Sequence, residues 1–336
     1  MTVSRKIILE RPIAASPVAA DFALAEEELA APAKGELLVR VVYLSLDPYV
    51  GSALRGRHMS AQPMPGDLIP GKGIGQIIAS ADPEFNAGDY VTGEMGWRDH
   101  VLVRSADMAK VDPDIAPLSA QIGVAGMPGL TAWASMHHLA DIQPGDQVLV
   151  SSAAGPVGGT VGQIARILGA TRVVGIAGSD AKCALVTDNY GFDACINYRD
   201  SGWKEQLARA MPEGVSAYHD NVGGELLDTA LANLSDYGRV VLCGLASQYQ
   251  ADERPAGPNP AIYIVKRAKV MGLVVYDFLE EQQDVTRKIG QWIGDGKLAY
   301  AEDRVAGLEQ APVLFEKLMA GKNIGKAIVA VGPENF

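Results

Sequence analysis

The stretch VSSAAGPVGGTVGQIARILGA, residues 150–170, constrains the chain more than any other feature. It runs from the end of an apolar strand through a glycine-bearing turn into a helix, the layout of a nucleotide-binding βα unit. Pro156 suits the first helical position, where its missing N–H loses nothing and its fixed φ fits the turn. Val157, Val161, Ile164, Ala165 and Leu168 then share one helical face that can pack on a sheet. Gly155 and Gly158 keep side chains away from the helix N-terminus, where backbone N–H groups receive a pyrophosphate. Gly162 lets the helix lie close to the preceding strand. A glycine-rich turn that merely packs tightly is the competing reading, and the elements that follow weigh against it.

From Gln147 to Val274 short apolar runs alternate with helical patterns, the signature of βαβ units in a parallel sheet. The spacing predicts strands at 147–151, 172–177, 194–197, 217–220, 239–243 and 270–274. Helices are expected at 156–168, 181–189, 203–211 and 225–234, giving a doubly wound sheet of five or six parallel strands. The first 120 residues differ. Short segments punctuated by Gly and Pro, such as KGELLVRVVYLSLDP and GDYVTGEM, suggest a mostly antiparallel β domain. After a helix near 286–293 the tail holds another near 312–319 and a β-like run, KAIVAV. A lone strand cannot bury itself, so the tail is expected to rejoin the first domain. The α/β chain thus divides into a β-rich domain, 1–124 with 299–336, and a nucleotide domain, 125–298. Residues 251–260, ADERPAGPNP, read as a loop.

A net charge of −11 opposes nucleic acid and anionic membrane surfaces, both themselves negative. No window holds the roughly 18 apolar residues of a membrane span, and the N-terminal apolar run is too short for a signal segment. A cytoplasmic setting follows. Cys183, Cys195 and Cys243 are odd in number, widely spaced and set in apolar stretches, which suggests small buried residues rather than disulfides.

The second strand chooses the dinucleotide. An NAD site places a carboxylate at its end, about 20 residues past the glycines, to bind the ribose hydroxyls. Here Ala177 and Gly178 occupy that end, which removes repulsion from a 2′-phosphate, and Lys182 adds a positive charge one turn on. Asp180 stands at a helix start, where a carboxylate can face the helix dipole rather than the ribose. NADP is the expected cofactor.

Seven segments in order, GMPGLTAW, AAGPVGG, AGSDAK, GFDACINY, DNVGGELLD, GRVVLCGLASQY and GKNIGKAIV, carry a family likeness over nearly the whole chain. The chain resembles the zinc-independent medium-chain dehydrogenase/reductases, in the alkenal/alkenone double-bond reductase branch that includes the prostaglandin reductases. The resemblance implies a GroES-like catalytic domain completed by the tail, and a Rossmann NADP domain. It puts Gly155, Pro156, Val157 and Gly158 on the pyrophosphate, and Lys182 and Tyr198 on the 2′-phosphate. It also implies that Asn221, the segment Cys243, Gly244, Leu245, Ala246, Ser247 and Tyr249, the segment Leu273, Val274 and Val275, and Asn323 line the remainder of the cofactor. Pro156, where relatives often have alanine, and Leu245-Ala246 depart slightly from the pattern.

Zinc-dependent relatives need a cysteine, a histidine and often a carboxylate at the catalytic site, plus a lobe of four close cysteines. The three cysteines here have no C-x-x-C, and none of His58, His100, His137, His138 and His219 has a matching thiolate. Gly71-Lys72-Gly73 stands where zinc enzymes carry Gly-His-Glu. The paired His137 and His138 read as a helix surface, and His219 as a strand residue. Without a Lewis acid, simple alcohols and ketones are poor substrates, whereas a conjugated enone or enal needs only hydrogen-bond donors at its carbonyl oxygen. Tyr249, after the strand end CGLASQ, is the first candidate donor, and Tyr49, in the family's DPY motif, the second. Tyr263 could close a pocket, and a cofactor ribose hydroxyl could replace either tyrosine. A zinc-free NADPH:quinone oxidoreductase and a non-catalytic NADPH-binding protein are the rival readings. The resemblance also implies a homodimer built on the edge of the nucleotide-domain sheet.

Overall fold

The computed structural model describes residues 2–249 and 256–334; residues 251–255 of the expected loop fall outside the described residues. In chain order the elements begin with β1 (Thr2–Leu9), β2 (Phe22–Leu29), β3 (Glu36–Ser45), α1 (Pro48–Leu54), β4 (Lys72–Ser80), β5 (Tyr90–Glu94), β6 (His100–Arg104), β7 (Ala109–Val111) and α2 (Leu118–Ile122). There follow α3 (Met127–Trp133), β8 (Gln147–Ser151), α4 (Pro156–Ile167), β9 (Arg172–Ala177), α5 (Asp180–Ala184), β10 (Ala194–Asn197), α6 (Trp203–Ala210), β11 (Val215–Asp220) and α7 (Gly224–Ala232). Last come β12 (Leu234–Leu242), α8 (Ala261–Lys266), β13 (Lys269–Gly272), α9 (Gln282–Gly294), β14 (Glu302–Ala306), α10 (Ala311–Met319) and β15 (Lys326–Ala330). Two compact units result, Met1–Gly123 with Glu302–Phe336, and Val124–Ala301.

The first unit is a seven-stranded sheet ordered β14-β15-β3-β4-β5-β7, with β6 also on β3, beside a separate β1–β2 hairpin. Its ladders are antiparallel except for β14 on β15. β3 is buried almost end to end, which explains its unbroken apolar reading. The tail returns here: β15 pairs with β3, Ile328 opposite Ser45. Trp97 packs edge-on against Phe315 at 5.2 Å between centroids, and Phe22 against both, so the tail helix α10 completes this core.

The second unit carries six parallel strands ordered β10-β9-β8-β11-β12-β13. Successive strands move outward from β8 to one side and then resume at β11 on the other, so β8 and β11 flank the topological switch point, where open α/β sheets bind ligands. Several element boundaries differ from the pattern in the sequence, β11 for example starting two residues early at Val215. β12 starts at Leu234 because residues 235–238 form a bulge, with Tyr237 at φ +61°, between the Val215 and Ala217 pairings. β13 ends at Gly272, two residues early, because its pairing partner Leu242 ends β12. The helix expected at 181–189 is α5 followed by a wider π-type turn at 185–189. Helix α4 is buried over 158–165 rather than along one face, since α3 also packs on it.

The hairpin strand β1 is tied to the first unit through Asp99. That carboxylate accepts the Arg5 backbone N–H at 2.9 Å, Arg5 Nε–H at 2.8 Å and His100 Nδ1 at 3.0 Å. Burial raises its pKa, but the hydrogen bonds from His100 and Arg5 outweigh burial and hold it at about 2. A carboxylate pKa below its unfolded value stabilises the fold above that unfolded value, and the contribution fades as pH falls through the folded value. Asp99→Asn is therefore expected to lower the unfolding free energy by about 1–2 kcal/mol at pH 7, with the difference from wild type closing between pH 5 and 2. Denaturant melts across that range measure it, and a pH-independent difference contradicts it.

Candidate functional site

The carboxyl ends of β8 and β11 are locked together by one turn, Asp220-Asn221-Val222-Gly223. Asp220 is completely buried, and its carboxylate accepts Ser151 Oγ–H, Tyr218 O–H and the backbone N–H groups of Val222 and Gly223 at 2.8–3.1 Å. Gly223 and Gly224 stand at φ +71° and +58°, so the chain can curl back over the carboxylate before α7 begins. Asn221 donates its backbone N–H to Ser151 Oγ at 2.8 Å and Nδ2–H to the Ser151 carbonyl at 2.9 Å.

The 243–249 loop docks on the same turn. Cys243 and Gly244 donate their N–H groups to the Asp220 carbonyl at 2.8 and 3.1 Å. Ala246 donates to the Asn221 carbonyl, and Ser247 donates both its N–H and its Oγ–H to that of Val222. Tyr249 folds back over this loop: a Cβ on Gly244 would stand 3.1 Å from its phenol oxygen, which accepts the Leu245 N–H at 3.4 Å. Burial raises the phenol pKa, so the hydroxyl keeps its proton at neutral pH. Burial likewise pushes the Cys243 thiol up to about 12. Leu273 donates its N–H to the Leu242 carbonyl, which brings residues 273–275 to the end of the adjacent strand. The structure therefore gathers Asn221, Cys243, Gly244, Leu245, Ala246, Ser247 and Tyr249 at one place, with Leu273 beside it.

Across the switch point, α4 starts at Pro156 with Gly155 as its N-cap. Gly159 donates its N–H to Gly155, leaving the N–H groups of Val157 and Gly158 directed out of the first turn. Gly158 has a packing reason of its own, since a Cβ there would lie 2.4 Å from the Ser152 carbonyl oxygen. Gly162 does not serve a close approach to the strand. Its hydrogen faces the Phe192 ring, 2.0 Å from where a Cβ would stand, because Phe192 enters from the turn before β10.

At the end of β9, Ala177 and Gly178 leave no acid. Tyr198 donates its N–H to the Ala177 carbonyl and lays its ring over Gly178, 3.1 Å from where a Cβ would be. Lys182 lies on α5, whose first turn is capped by Ser179 Oγ accepting the Lys182 N–H at 3.3 Å. Asp180 is taken up by Asn197, which donates Nδ2–H to it at 2.9 Å. The cysteines are half-buried rather than sealed in the core, and Cys183 and Cys195 share a hydrogen bond.

Tyr49 and Asn323 belong to the other unit. Tyr49 lies on α1 behind its N-cap Asp47, 5.1 Å from the His58 ring. The buried Lys326 donates Nζ–H to the Leu46 carbonyl at 2.7 Å and to Asp47 at 2.8 Å, fixing the start of that helix. Asn323 donates Nδ2–H to the Gly325 carbonyl at 2.8 Å. Lys72 is desolvated beside Glu94 and Asp47, and burial lowers its pKa. His137 stacks on Trp133 at 4.3 Å, and His138 pairs with Glu281 at 2.8 Å. Tyr263 packs on the core of the nucleotide-type unit. Among the described residues no three His, Cys, Asp or Glu side chains form a metal-ligand group. Sequence reasoning missed Asp220, Ser151 and Ser135; the available signal was an acid ending an apolar strand directly before a double glycine, DNVGG.

Two family models match the chain: the N-terminal domain of oxidoreductase over residues 5–111, and zinc-binding dehydrogenase over residues 156–291. The chain is 36% identical to the NADPH-dependent curcumin reductase of Escherichia coli (strain K12), with 98% of this chain and 97% of that one covered. It is 35% identical to the 2-alkenal reductase (NADP(+)-dependent) of Nicotiana tabacum, with 98% of each covered. Its structure superposes on that of CurA from Vibrio vulnificus in complex with NADPH with a TM-score of 0.91, at 35% identity, covering 98% of this chain and 99% of that one. The chain belongs to the medium-chain dehydrogenase/reductases, in the zinc-independent branch of alkenal and alkenone double-bond reductases.

Proposed function

We propose that this protein reduces the carbon–carbon double bond of α,β-unsaturated ketones and aldehydes with NADPH. The observation that carries the reading is the protonated, half-buried Tyr249 phenol, held over Gly244 on the loop that docks against the Asn221 turn. The residues fit a dinucleotide phosphate. Val157 and Gly158 offer N–H groups and a helix dipole to the pyrophosphate, with Gly155 and Pro156 forming the turn. The acid-free end of β9, with Lys182 on the following helix and the Tyr198 phenol over Gly178, suits a 2′-phosphate. Asn221, Cys243–Tyr249 and Leu273–Val275 take the remainder, and the family likeness adds Asn323.

When bound, NADPH would supply a hydride to the substrate β-carbon. Negative charge then gathers on the carbonyl oxygen, where Tyr249 donates its O–H, an interaction of about 2–4 kcal/mol. The α-carbon next takes up a proton from solvent water, which completes the saturated product. Tyr49 is the second candidate donor. Tyr249→Phe is expected to lower kcat with an enone about a hundredfold while NADPH binding is retained; undiminished turnover removes Tyr249 from the mechanism and favours a cofactor ribose hydroxyl. The same NADPH-consumption assay with enals, enones and quinones separates the rivals, since preference for quinones favours a quinone oxidoreductase and no consumption a binding protein.

The protein forms a homodimer in this reading, located in the cytoplasm, where its three cysteines stay reduced. The support for dimerisation is β13, a sheet-edge strand with Val270 exposed, next to Ile264 and Val265 on α8, exposed by 77% and 61%. No helix among the described residues is long and apolar enough to cross a membrane. Sedimentation equilibrium is expected to give twice the chain mass, and Val270→Lys with Ile264→Lys to give monomers; a wild-type monomer contradicts the assignment.

A further inference from the structure

His219 is wholly buried on β11, between Tyr218 and Asp220. Its Nδ1 lies 2.7 Å from Ser135 Oγ, and its Nε2 lies 3.2 Å from Asn221 Oδ1. Every proton in this chain can be assigned from groups that act in only one way. The Ser151 carbonyl can only accept, so the Asn221 atom facing it at 2.9 Å is Nδ2, and the amide orientation is fixed. Oδ1 therefore faces the imidazole and accepts, which requires a hydrogen on Nε2. Burial pushes the His219 pKa down to about 4, so the ring is neutral at physiological pH, and Nδ1 is left to accept the Ser135 hydroxyl hydrogen. On the other side, the Asn221 backbone N–H donates to Ser151 Oγ, whose own hydrogen goes to Asp220 Oδ1. That oxygen already receives the N–H groups of Val222 and Gly223.

We infer that His219 is a positioning residue for the cofactor. As the Nε2–H tautomer held by Ser135, it pins the carbonyl end of the Asn221 amide, so that the hydrogen Asn221 retains beyond Ser151 is an N–H donor. The group it serves on the dinucleotide is consequently an acceptor, a ribose hydroxyl oxygen or the carboxamide oxygen. A phenylalanine at 219 would fill similar space yet leave Oδ1 unpaired and the amide free to turn, presenting the wrong polarity. The inference rests on the reading that Asn221 meets the cofactor.

Two measurements test it on the full chain. Nitrogen-15 NMR of the unaltered protein at pH 7 is expected to show His219 with a protonated Nε2 and a bare Nδ1; the opposite tautomer or an imidazolium overturns the inference. Titration of NADPH by fluorescence is expected to give Kd values raised about tenfold in His219→Phe and about threefold in Ser135→Ala, with partial recovery in His219→Gln, whose amide N–H can reach Oδ1. In steady state the loss falls on KM for NADPH more than on kcat. Asn221→Ala is the control: an unchanged Kd there refutes the cofactor reading of Asn221 and the inference with it. If Asn221→Ala weakens binding while folded His219→Phe and Ser135→Ala bind as wild type does, the inference alone fails.

Discussion

A carboxylate with no exposure to water must be satisfied from within, and the satisfaction of Asp220 organises the ligand end of the parallel sheet. Its donors come from β8, from β11 itself and from the glycine turn, so the acid fixes the distance between the two strands that flank the switch point. Its backbone carbonyl holds the start of the 243–249 loop as well. Removing the acid would strand Ser151, Tyr218 and two amide N–H groups at once, which is why the geometry of Asn221 and Tyr249 is inseparable from it.

In the proposed reaction the same arrangement would serve a substrate oxygen without a strong electrophile. There, backbone amides and neutral phenols and amides would supply fixed dipoles, which cost little reorganisation when charge develops on a substrate oxygen. Tyr249 suits this task because burial keeps its proton in place. His219, neutral for the same reason, serves as a spacer with one donor and one acceptor rather than as an acid.

Much of this was legible in the residues. The alternation of apolar runs and helices marked all six parallel strands, and GPVGG marked the first helix turn, because period and glycine placement are local properties. The return of the tail to the first unit followed from KAIVAV being a lone strand that cannot bury itself. What the pattern hid was non-local. The role of Gly162 depends on Phe192, thirty residues away in sequence, and the bulge before Arg239 depends on how β12 meets β11. Ser135, His219 and Ser151 meet only once three separate elements have packed, and no spacing rule connects them. Lys326 looked like one basic residue in a β-like run, yet it is buried and holds Asp47 at the start of the Tyr49 helix.

Hydride transfer to the β-carbon of a conjugated carbonyl compound is the step on which the proposed function turns. Single-turnover reaction of the enzyme with NADPH deuterated at the transferring position, followed by mass and NMR analysis of the product of a simple enone, tests it most directly. The expected product is a saturated ketone carrying one deuterium on the former β-carbon and a solvent-derived hydrogen on the α-carbon. An allylic alcohol with deuterium on the carbinol carbon, or a saturated ketone without deuterium, would contradict it.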